Sequence, residues 1–359
     1  MNRYFDFNAT TPMLPQAREA WLLASERHWH NPSSLYRDAG ITAQKLESAR
    51  ERLGDLLGVD AERIVFTSGA TEANNMLFSA FIGQTTAIST IEHPSVREAA
   101  RHWTKMREFN ANTEPPEAAL VSVMAANNES GELLPWRGLA AQCREKGIPF
   151  HTDASQWIGK LETNFSECDY ITGSSHKFGG PKGAGFLVLR DEKEVIRLIH
   201  GGPQEKGRRA GTENYPAIEA MVTALETLTP QIAKSDDSGR NGFEVAMQAA
   251  FPGLRVIGAA APRLWNTSLM VMPAHENLKW LTRLSRRGFS ISTGSACSSG
   301  KEGSSVVVSA LGASPEELRR VVRLSGGWQT TAAEWQELAS AFQAVGAELD
   351  AEAKSRSAG

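Results

Sequence analysis

Cysteine is scarce: Cys143, Cys168 and Cys297 are the three in 359 residues, too few for a disulfide framework, and an odd thiol is tolerated in a reducing compartment. Excess charge of one sign is also missing. The 38 basic and 41 acidic residues leave a net charge of −3, without the surplus of Lys and Arg that nucleic acid or an anionic membrane surface attracts, so no nucleic-acid or membrane partner is expected. Long hydrophobic runs are absent as well. The longest near-apolar stretch, Ala118 to Ala126, is broken by Ser122 and falls far short of the roughly 20 residues that cross a bilayer. Met1 to Asn8 has no apolar segment and no small-residue cleavage site, so a cytoplasmic location is expected. Neither an internal repeat nor a low-complexity tract is present.

What the chain does hold is apolar material for a large core. Apolar residues make up 41% and charged ones 22%, as in a soluble globular protein, and a chain of this length predicts two domains or one large one. From about residue 43 to residue 190, strand patterns alternate with helical periods. Strands are predicted at Ile64–Thr67, Ala87–Thr90, Leu120–Met124, Phe150–Asp153, Tyr170–Thr172 and Phe186–Leu189. Between them, Leu46, Ala49, Leu53, Leu56 and Leu57 fall at helical spacing, as do Leu139, Ala140 and Cys143. Such alternation predicts an α/β fold with a mostly parallel sheet between helices, and it directs the search for chemistry to loops at the carboxyl ends of the strands.

After Pro216 the pattern changes to a helical run, Ala217 to Leu228, and then to a polar break over Lys234–Gly242 that reads as a loop or a domain junction. Strand patterns at Leu254–Ile257, Asn266–Val271, Phe289–Ser292 and Val321–Leu324, with helices near Glu276–Arg286 and Ala332–Gly346, predict a smaller α+β domain. The tail after Ala347 is short and polar, and it is expected to fray. The expected division is a large domain over residues 15–240 and a small one built from residues 1–14 and 241–359.

Three of the strand-end loops carry reactive groups. Thr67-Ser68-Gly69-Ala70-Thr71-Glu72 is a small-residue turn opening a helix, where free N–H groups would hold a phosphate; the same residues also make an ordinary helix cap. Phe150–Asp153 leaves the Asp153 carboxylate at the sheet edge. Tyr170–Thr172 is followed by Gly173-Ser174-Ser175-His176-Lys177-Phe178-Gly179-Gly180, a setting that partly desolvates Lys177 and makes its amine available; alone, it would read as an exposed lysine. A lysine and a carboxylate on nearby strand ends are the two fixed parts of a pyridoxal phosphate site, the amine bonding the cofactor and the acid pairing with its ring nitrogen.

Further segments turn this into a resemblance. Asn8-Ala9-Thr10-Thr11-Pro12, Ser68-Gly69-Ala70-Thr71-Glu72, Glu92-His93, Asn127-Asn128-Glu129, Asp153-Ala154-Ser155-Gln156, Ser175-His176-Lys177, the run from Gly207 to Asn214 and Thr293-Gly294-Ser295-Ala296-Cys297-Ser298-Ser299-Gly300 occur in that order. The chain closely resembles the cysteine desulfurases of the class V aminotransferase superfamily, fold type I pyridoxal phosphate enzymes with a seven-stranded type of sheet. The resemblance implies that Lys177 holds pyridoxal 5'-phosphate, Asp153 its ring nitrogen and Gln156 the ring oxygen region, while His93 stacks on the ring and helps move protons. It implies phosphate binding by Ala70, Thr71, Ser174 and His176, completed by Thr212 of a second subunit in a homodimer. Asn128 would lie beside the ring and the substrate, Arg323 would clamp the substrate carboxylate, and Asn31 would assist it.

Cys297 lies among small and polar neighbours, in a segment unlike a core. The resemblance implies that its thiolate takes sulfur from L-cysteine, leaving alanine and a persulfide that passes to an acceptor protein or a small thiol. Cys143 and Cys168 read as structural, and no metal site is expected, the pair His28 and His30 lacking further ligands. A pyridoxal phosphate carbon–sulfur or selenocysteine lyase that does not use Cys297 stands as the alternative, and a non-catalytic protein keeping the fold as a third reading. Between Trp103 and Leu120 the chain is shorter than its relatives, which predicts the loss of a peripheral strand.

Overall fold

The computed structural model describes residues 3–293 and 306–357. The chain forms two compact units, one from Met1–Thr10, Asn128–Leu133 and Ser235–Gly359 and the other from Thr11–Asn127 and Leu134–Lys234. It opens with a short strand of the first unit, β1 (Arg3–Tyr4). The second, larger unit then begins with helices α1 (Pro15–Arg27) and α2 (Arg37–Leu57), the latter ending at Gly58 in the left-handed region.

The sheet of the larger unit is made by β2 (Ile64–Thr67), β3 (Thr85–Ser89), β4 (Lys105–Phe109), β5 (Leu120–Ser122), β6 (Phe150–Asp153), β7 (Tyr170–Ser174) and β8 (Gly185–Val188). It has seven strands in the order β2-β8-β7-β6-β5-β3-β4. The pairs β3/β4, β3/β5, β5/β6 and β6/β7 are parallel, whereas β8 runs antiparallel to both β7 and β2. Strands β2, β6, β7 and β8 are buried along their whole length, so both faces of the sheet are covered. The cover includes α3 (Ala70–Ser79), α4 (Pro94–Trp103), α5 (Trp136–Glu145) and α6 (Tyr215–Ile232). One core cluster packs Val65 and Leu187 of the strands against Met76, Leu77 and Phe78 of α3 and Val96 and Ala100 of α4.

The smaller unit contains α7 (Ser238–Ala250), β9 (Arg255–Val256), β10 (Thr267–Val271), α8 (Asn277–Arg286), β11 (Phe289–Ser290), α9 (Val306–Ala310), α10 (Pro315–Leu318), β12 (Val321–Ser325) and α11 (Ala332–Ser357). Strand β10 lies between β12 and β9, antiparallel to both, and β1 pairs in parallel with β11. Its core gathers Phe5, Phe243, Met247, Trp280, Trp335 and Phe342.

Two expectations need correction. The peripheral strand between Trp103 and Leu120 is present: β4 forms the sheet edge, parallel to β3 from Thr85↔Lys105 to Ser89↔Phe109. Its sequence, Lys-Met-Arg-Glu-Phe, is hidden by charges of the kind that protect an exposed edge from further pairing. The tail after Ala347 does not fray, because α11 continues to Ser357. Leu349 is buried in the core cluster, and Glu348, Asp350 and Glu352 pair with Arg287, His275 and Arg283. The polar stretch over Lys234–Gly242 contains the junction between the units and also the first turn of α7.

Candidate active site

In the larger unit the candidate residues arrive on the carboxyl ends of neighbouring strands. Parallel pairing of β6 with β7 sets Asp153 opposite Thr172, and a 3-10 turn, Ser175–Lys177, follows β7 directly. The lysine turn is fastened from a distance. The carbonyl of His176 accepts both the N–H and the hydroxyl of Thr11, each at 2.9 Å, and Thr11 Oγ1 accepts the Gly179 N–H at 2.8 Å. This gives Thr11, present in the Asn8–Pro12 motif, a structural task that its spacing did not reveal.

The turn before α3 is built for close approach. Gly69 caps the helix at φ 154°, and a Cβ on Gly185 of β8 would lie 2.5 Å from Gly69 Cα, so two glycines are needed where turn and strand meet. No side chain caps α3, and the first N–H returned to the turn is that of Ala73, to the Gly69 carbonyl at 3.1 Å. The ordinary-cap reading of Ser68–Glu72 is therefore not what the structure has: Glu72 accepts the Ser68 N–H at 2.8 Å, but the helix start keeps its positive dipole end. Ser174 is buried beside it, with its Oγ 3.5 Å from where a Gly69 Cβ would stand.

Arg209 bonds Glu72 at 2.9 Å and fixes the loop that carries Thr212. Burial pushes the Glu72 carboxyl up, but the bonds from Arg209 and Ser68 outweigh it and hold its pKa below the usual value. A cavity of about 200 Å³ here is lined by Ser68, Ala184, Arg209, Gly211 and Thr212.

Asp153 is 5% exposed; its Oδ1 accepts the Ser155 N–H at 3.0 Å and its Oδ2 the Asn74 amide at 3.3 Å. His93 is the N-cap of α4, its Nδ1 accepting the Ser95 N–H at 3.1 Å. Burial lowers the His93 pKa; the Asp153 charge opposes the shift and the Lys177 charge adds to it. His176 is pushed down to about 4, first by burial and then by Lys177, Lys182 and His93. Gln156 is buried and accepts a 2.5 Å bond from the buried Lys160.

Asn31 stands apart from this group, in an exposed turn between α1 and α2 that it closes by accepting the Ser33 N–H at 3.0 Å. Cys297 lies outside the described residues. Cys143 and Cys168 are buried, and burial raises both thiol pKa values, that of Cys143 to about 11.

In the smaller unit Arg323 lies on β12, 2% exposed. Its guanidinium donates to Asp6 Oδ1 at 2.6 Å and to the Asn128 carbonyl at 3.1 Å, while its Nε has no partner among the described residues. The Asn128 amide oxygen is likewise buried and without a partner among those residues. Asn8 donates to the Asn128 carbonyl at 3.2 Å and to Thr267 at 2.9 Å, and Gly131, at φ 76°, passes with its would-be Cβ 2.7 Å from Thr267.

Sequence reasoning missed the polar groups behind these residues, Asn74, Ser95, His151 and Thr172, and quoted Glu92 only as the neighbour of His93, without a task. Asn74 carried a faint signal, since it follows Ala70 by one helical turn and so shares the face of the phosphate-type turn.

A mostly parallel sheet with a lysine turn, a buried carboxylate and an uncapped helix start at its strand ends defines the fold type I class of pyridoxal phosphate enzymes. Residues 3–338 match the family Aminotransferase class-V, and the chain belongs to that family. It is 35% identical to "Cysteine desulfurase" of Cereibacter sphaeroides, with 93% of each chain covered. Among solved structures it is similar to a "NIFS-LIKE PROTEIN", with a TM-score of 0.87 at 27% identity over 96% of this chain and 99% of the other. It is also similar to "SspA in complex with cysteine", with a TM-score of 0.77 at 29% identity over 90% of this chain and 98% of that one.

Proposed function

We propose that the protein is a pyridoxal phosphate-dependent cysteine desulfurase that converts L-cysteine to L-alanine and passes the sulfur through Cys297 to an acceptor. The observation that carries the reading is the gathering of Lys177, Asp153 and His93 at the carboxyl ends of the sheet strands, with Asp153 and His93 joined through Asn74 and Ser95, next to an uncapped helix start.

These residues fit the cofactor. The α3 N–H groups of Ala70 and Thr71, with Ser174 and His176, offer donors for a phosphate, and burial keeps His176 uncharged near neutral pH, so that its ring binds as a dipole. Asp153 supplies the carboxylate for a protonated ring nitrogen, and the buried Ser155 hydroxyl beside it has no partner among the described residues. Gln156 would meet the ring oxygen, held in place by Lys160. When bound, the cofactor supplies an electron sink for the substrate Cα.

The chain's own groups do the rest. The Lys177 amine would hold the cofactor, take the Cα proton and return it to Cα in the product. His93 would stack on the ring and help move protons. Arg323 would hold the substrate carboxylate, and Asn128 would lie beside the substrate. The Cys297 thiolate attacks the substrate sulfur; the C–S bond breaks, its electron pair stays with the substrate and takes up a proton, and the products are alanine and a Cys297 persulfide. An acceptor protein or a small thiol then removes the outer sulfur.

The working form is a homodimer in which Thr212 of a second copy completes each phosphate site. Exposed large apolar side chains on the amino-terminal segment, Trp21, Leu22, Leu23, Trp29, Leu35 and Tyr36, support a covered face there. The location is cytoplasmic: buried, unpaired Cys143 and Cys168 suit a reducing compartment, and no helix among the described residues is long and apolar enough to cross a membrane.

The test is incubation of the purified protein with L-cysteine, comparing wild type with Cys297→Ser. The wild type forms alanine and a reducible persulfide on Cys297; the variant binds cysteine, keeps its yellow colour and forms neither product, because a hydroxyl is almost never ionised near neutral pH. Pyruvate and ammonia at undiminished rate from Cys297→Ser would replace this reading by a carbon–sulfur lyase.

A further inference from the structure

Behind Asp153 and His93 lies a continuous chain of buried or half-buried polar groups in the larger unit. Ser122 Oγ is 2.8 Å from His151 Nδ1, His151 Nε2 is 3.1 Å from Thr172 Oγ1, and Thr172 Oγ1 donates to Asn74 Oδ1 at 2.8 Å. The two hydrogens of Asn74 Nδ2 go to Asp153 Oδ2 at 3.3 Å and to Ser95 Oγ at 2.9 Å. Ser95 Oγ is in turn 2.8 Å from His93 Nδ1. Asn74 is fully buried at the centre.

The direction of every donor follows from one end. A carboxylate only accepts, so the amide must turn its NH₂ toward Asp153 and its oxygen toward Thr172. Thr172 then spends its single hydrogen on Asn74 and can only accept from His151, which must carry its proton on Nε2 and accept from Ser122 on Nδ1. On the other branch Ser95 accepts from Asn74 and gives its hydrogen to His93 Nδ1, which already accepts the Ser95 N–H. A flipped amide would set its oxygen against the Asp153 carboxylate and reverse the His151 tautomer.

We propose that Asn74 is a positioning residue that transmits the acceptor character of Asp153 to both histidines: it sets the His151 tautomer and, through Ser95 Oγ, adds to the Ser95 N–H in holding the proton of neutral His93 on Nε2, so that this ring offers the site a donor instead of a lone pair. The Cα proton therefore goes to the Lys177 amine and not to neutral His93. This consequence rests on the desulfurase reading; the hydrogen-bond polarity does not. The charged and titratable groups facing His93 are Asp153, Lys177 and His176, and the one facing His151 is Asp153.

The test is two-bond ¹H–¹⁵N correlation spectroscopy of the purified protein labelled with ¹⁵N-histidine, with His93→Gln and His151→Gln spectra assigning two of the eight histidines. In the wild type both rings carry the proton on Nε2. Asn74→Leu frees the Thr172 and Ser95 hydroxyls: His151 becomes a tautomer mixture, and the titration midpoint of His93 rises by roughly one pH unit as Ser95 turns to accept from a protonated Nδ1. Ser95→Ala is the milder variant should Asn74→Leu fail to fold; it raises the His93 midpoint and leaves His151 unchanged. A wild-type proton on Nδ1 of either ring, or variants with unmoved His93 midpoints, would overturn the inference. Because these signals do not depend on turnover, intact spectra without alanine formation count against the desulfurase reading alone. Alanine formation with the wrong tautomers counts against this inference alone.

Discussion

The buried pair between Arg50 and Glu205 should be worth more to the phosphate-type turn than any contact within the turn itself. Arg50 of α2 is 3% exposed and Glu205 is 5% exposed; the pair is bidentate, with both bonds at 2.8 Å. Glu205 Oε2 also accepts the N–H of Phe66 at 2.8 Å, on the open side of edge strand β2, and the guanidinium lies 4.6 Å over the Phe66 ring. Glu205 sits at φ 50°, a conformation few side chains adopt, and strand β2 leads straight into Gly69 and α3. Glu205→Gln keeps the shape but removes the charge. The amide oxygen can keep the two bonds that Oε2 accepts, from Arg50 Nη1 and the Phe66 N–H, but the NH₂ in place of Oε1 confronts Arg50 Nη2, and the guanidinium loses its buried counter-charge. Removing one partner of a buried pair costs about 3–5 kcal/mol, and because Glu47 remains 3.2 Å from Arg50 we place the loss at the lower end, about 3 kcal/mol. Global unfolding of a chain with two units is not a clean two-state measurement, so the assay is native-state hydrogen exchange at Phe66. A loss of about 3 kcal/mol speeds exchange there by roughly 100-fold. Replacing both residues, Arg50→Met with Glu205→Leu, should recover a good part of the protection, since no unpaired charge remains. Exchange at Phe66 within about threefold of wild type in Glu205→Gln would refute the reasoning.

Two further outcomes are open to direct measurement. Lys177→Ala should abolish covalent attachment of the cofactor while the uncapped start of α3 still binds its phosphate; borohydride reduction and peptide mapping that place the pyridoxyl group on another lysine would contradict the assignment. Glu92 is fully buried, and burial raises its pKa to about 8 against the bonds from Ser89 and Met124 that favour the charge. The native state therefore holds a proton that the unfolded chain releases near pH 4.5, so this contribution to stability is complete below about pH 4.5 and is lost as pH rises through about 8. Glu92→Gln should lose less stability than wild type between those limits, read as the opening free energy from native-state hydrogen exchange at Met124, whose N–H Glu92 accepts; the same pH dependence in both proteins would refute it.

Most of the sheet was legible because its strands are short apolar runs set between helical periods, and a strand buried on both faces has little choice of composition. Strand β4 was not, because an edge needs charges and its five residues look like loop. The far end of α11 was hidden for a similar reason: a single buried Leu349 among exposed charges gives no period, and its partners Arg283, Arg287 and His275 lie far away in sequence. Among the site residues, Asp153 and Lys177 could be read directly from strand ends. Arg323 and Asn128 could be named by resemblance, but not the bond that joins Arg323 to Asp6, since nothing local marks Asp6 as the partner of a residue on the last strand. Asn74, Thr172 and His151 look like ordinary residues on a helix and two strands. Only the pairing of β6 with β7, with α3 packed against β7, makes them neighbours.

The titratable groups around these hidden residues share one electrical property, which bears on why the network can orient the site at all. Burial lowers the pKa of His93 and pushes those of His151 and His176 down to about 4, while it raises that of Glu92 to about 8. Near pH 7 all four are neutral. A histidine that gained and lost charge in this range would donate from both nitrogens when protonated, and Thr172 or Ser95 would have to reverse with every proton. Neutral rings keep one donor and one acceptor each, so a single buried amide can hold a fixed direction through five side chains. Desolvation, ordinarily a cost, is here what keeps the network single-valued: the apolar walls of the sheet core forbid the charges that would scramble it. The Asp153 oxygens, which accept from Ser155 and Asn74, are the point from which the direction is set, and the bonds through Asn74 and Ser95 tie the proton position on His93 to a carboxylate on a different strand.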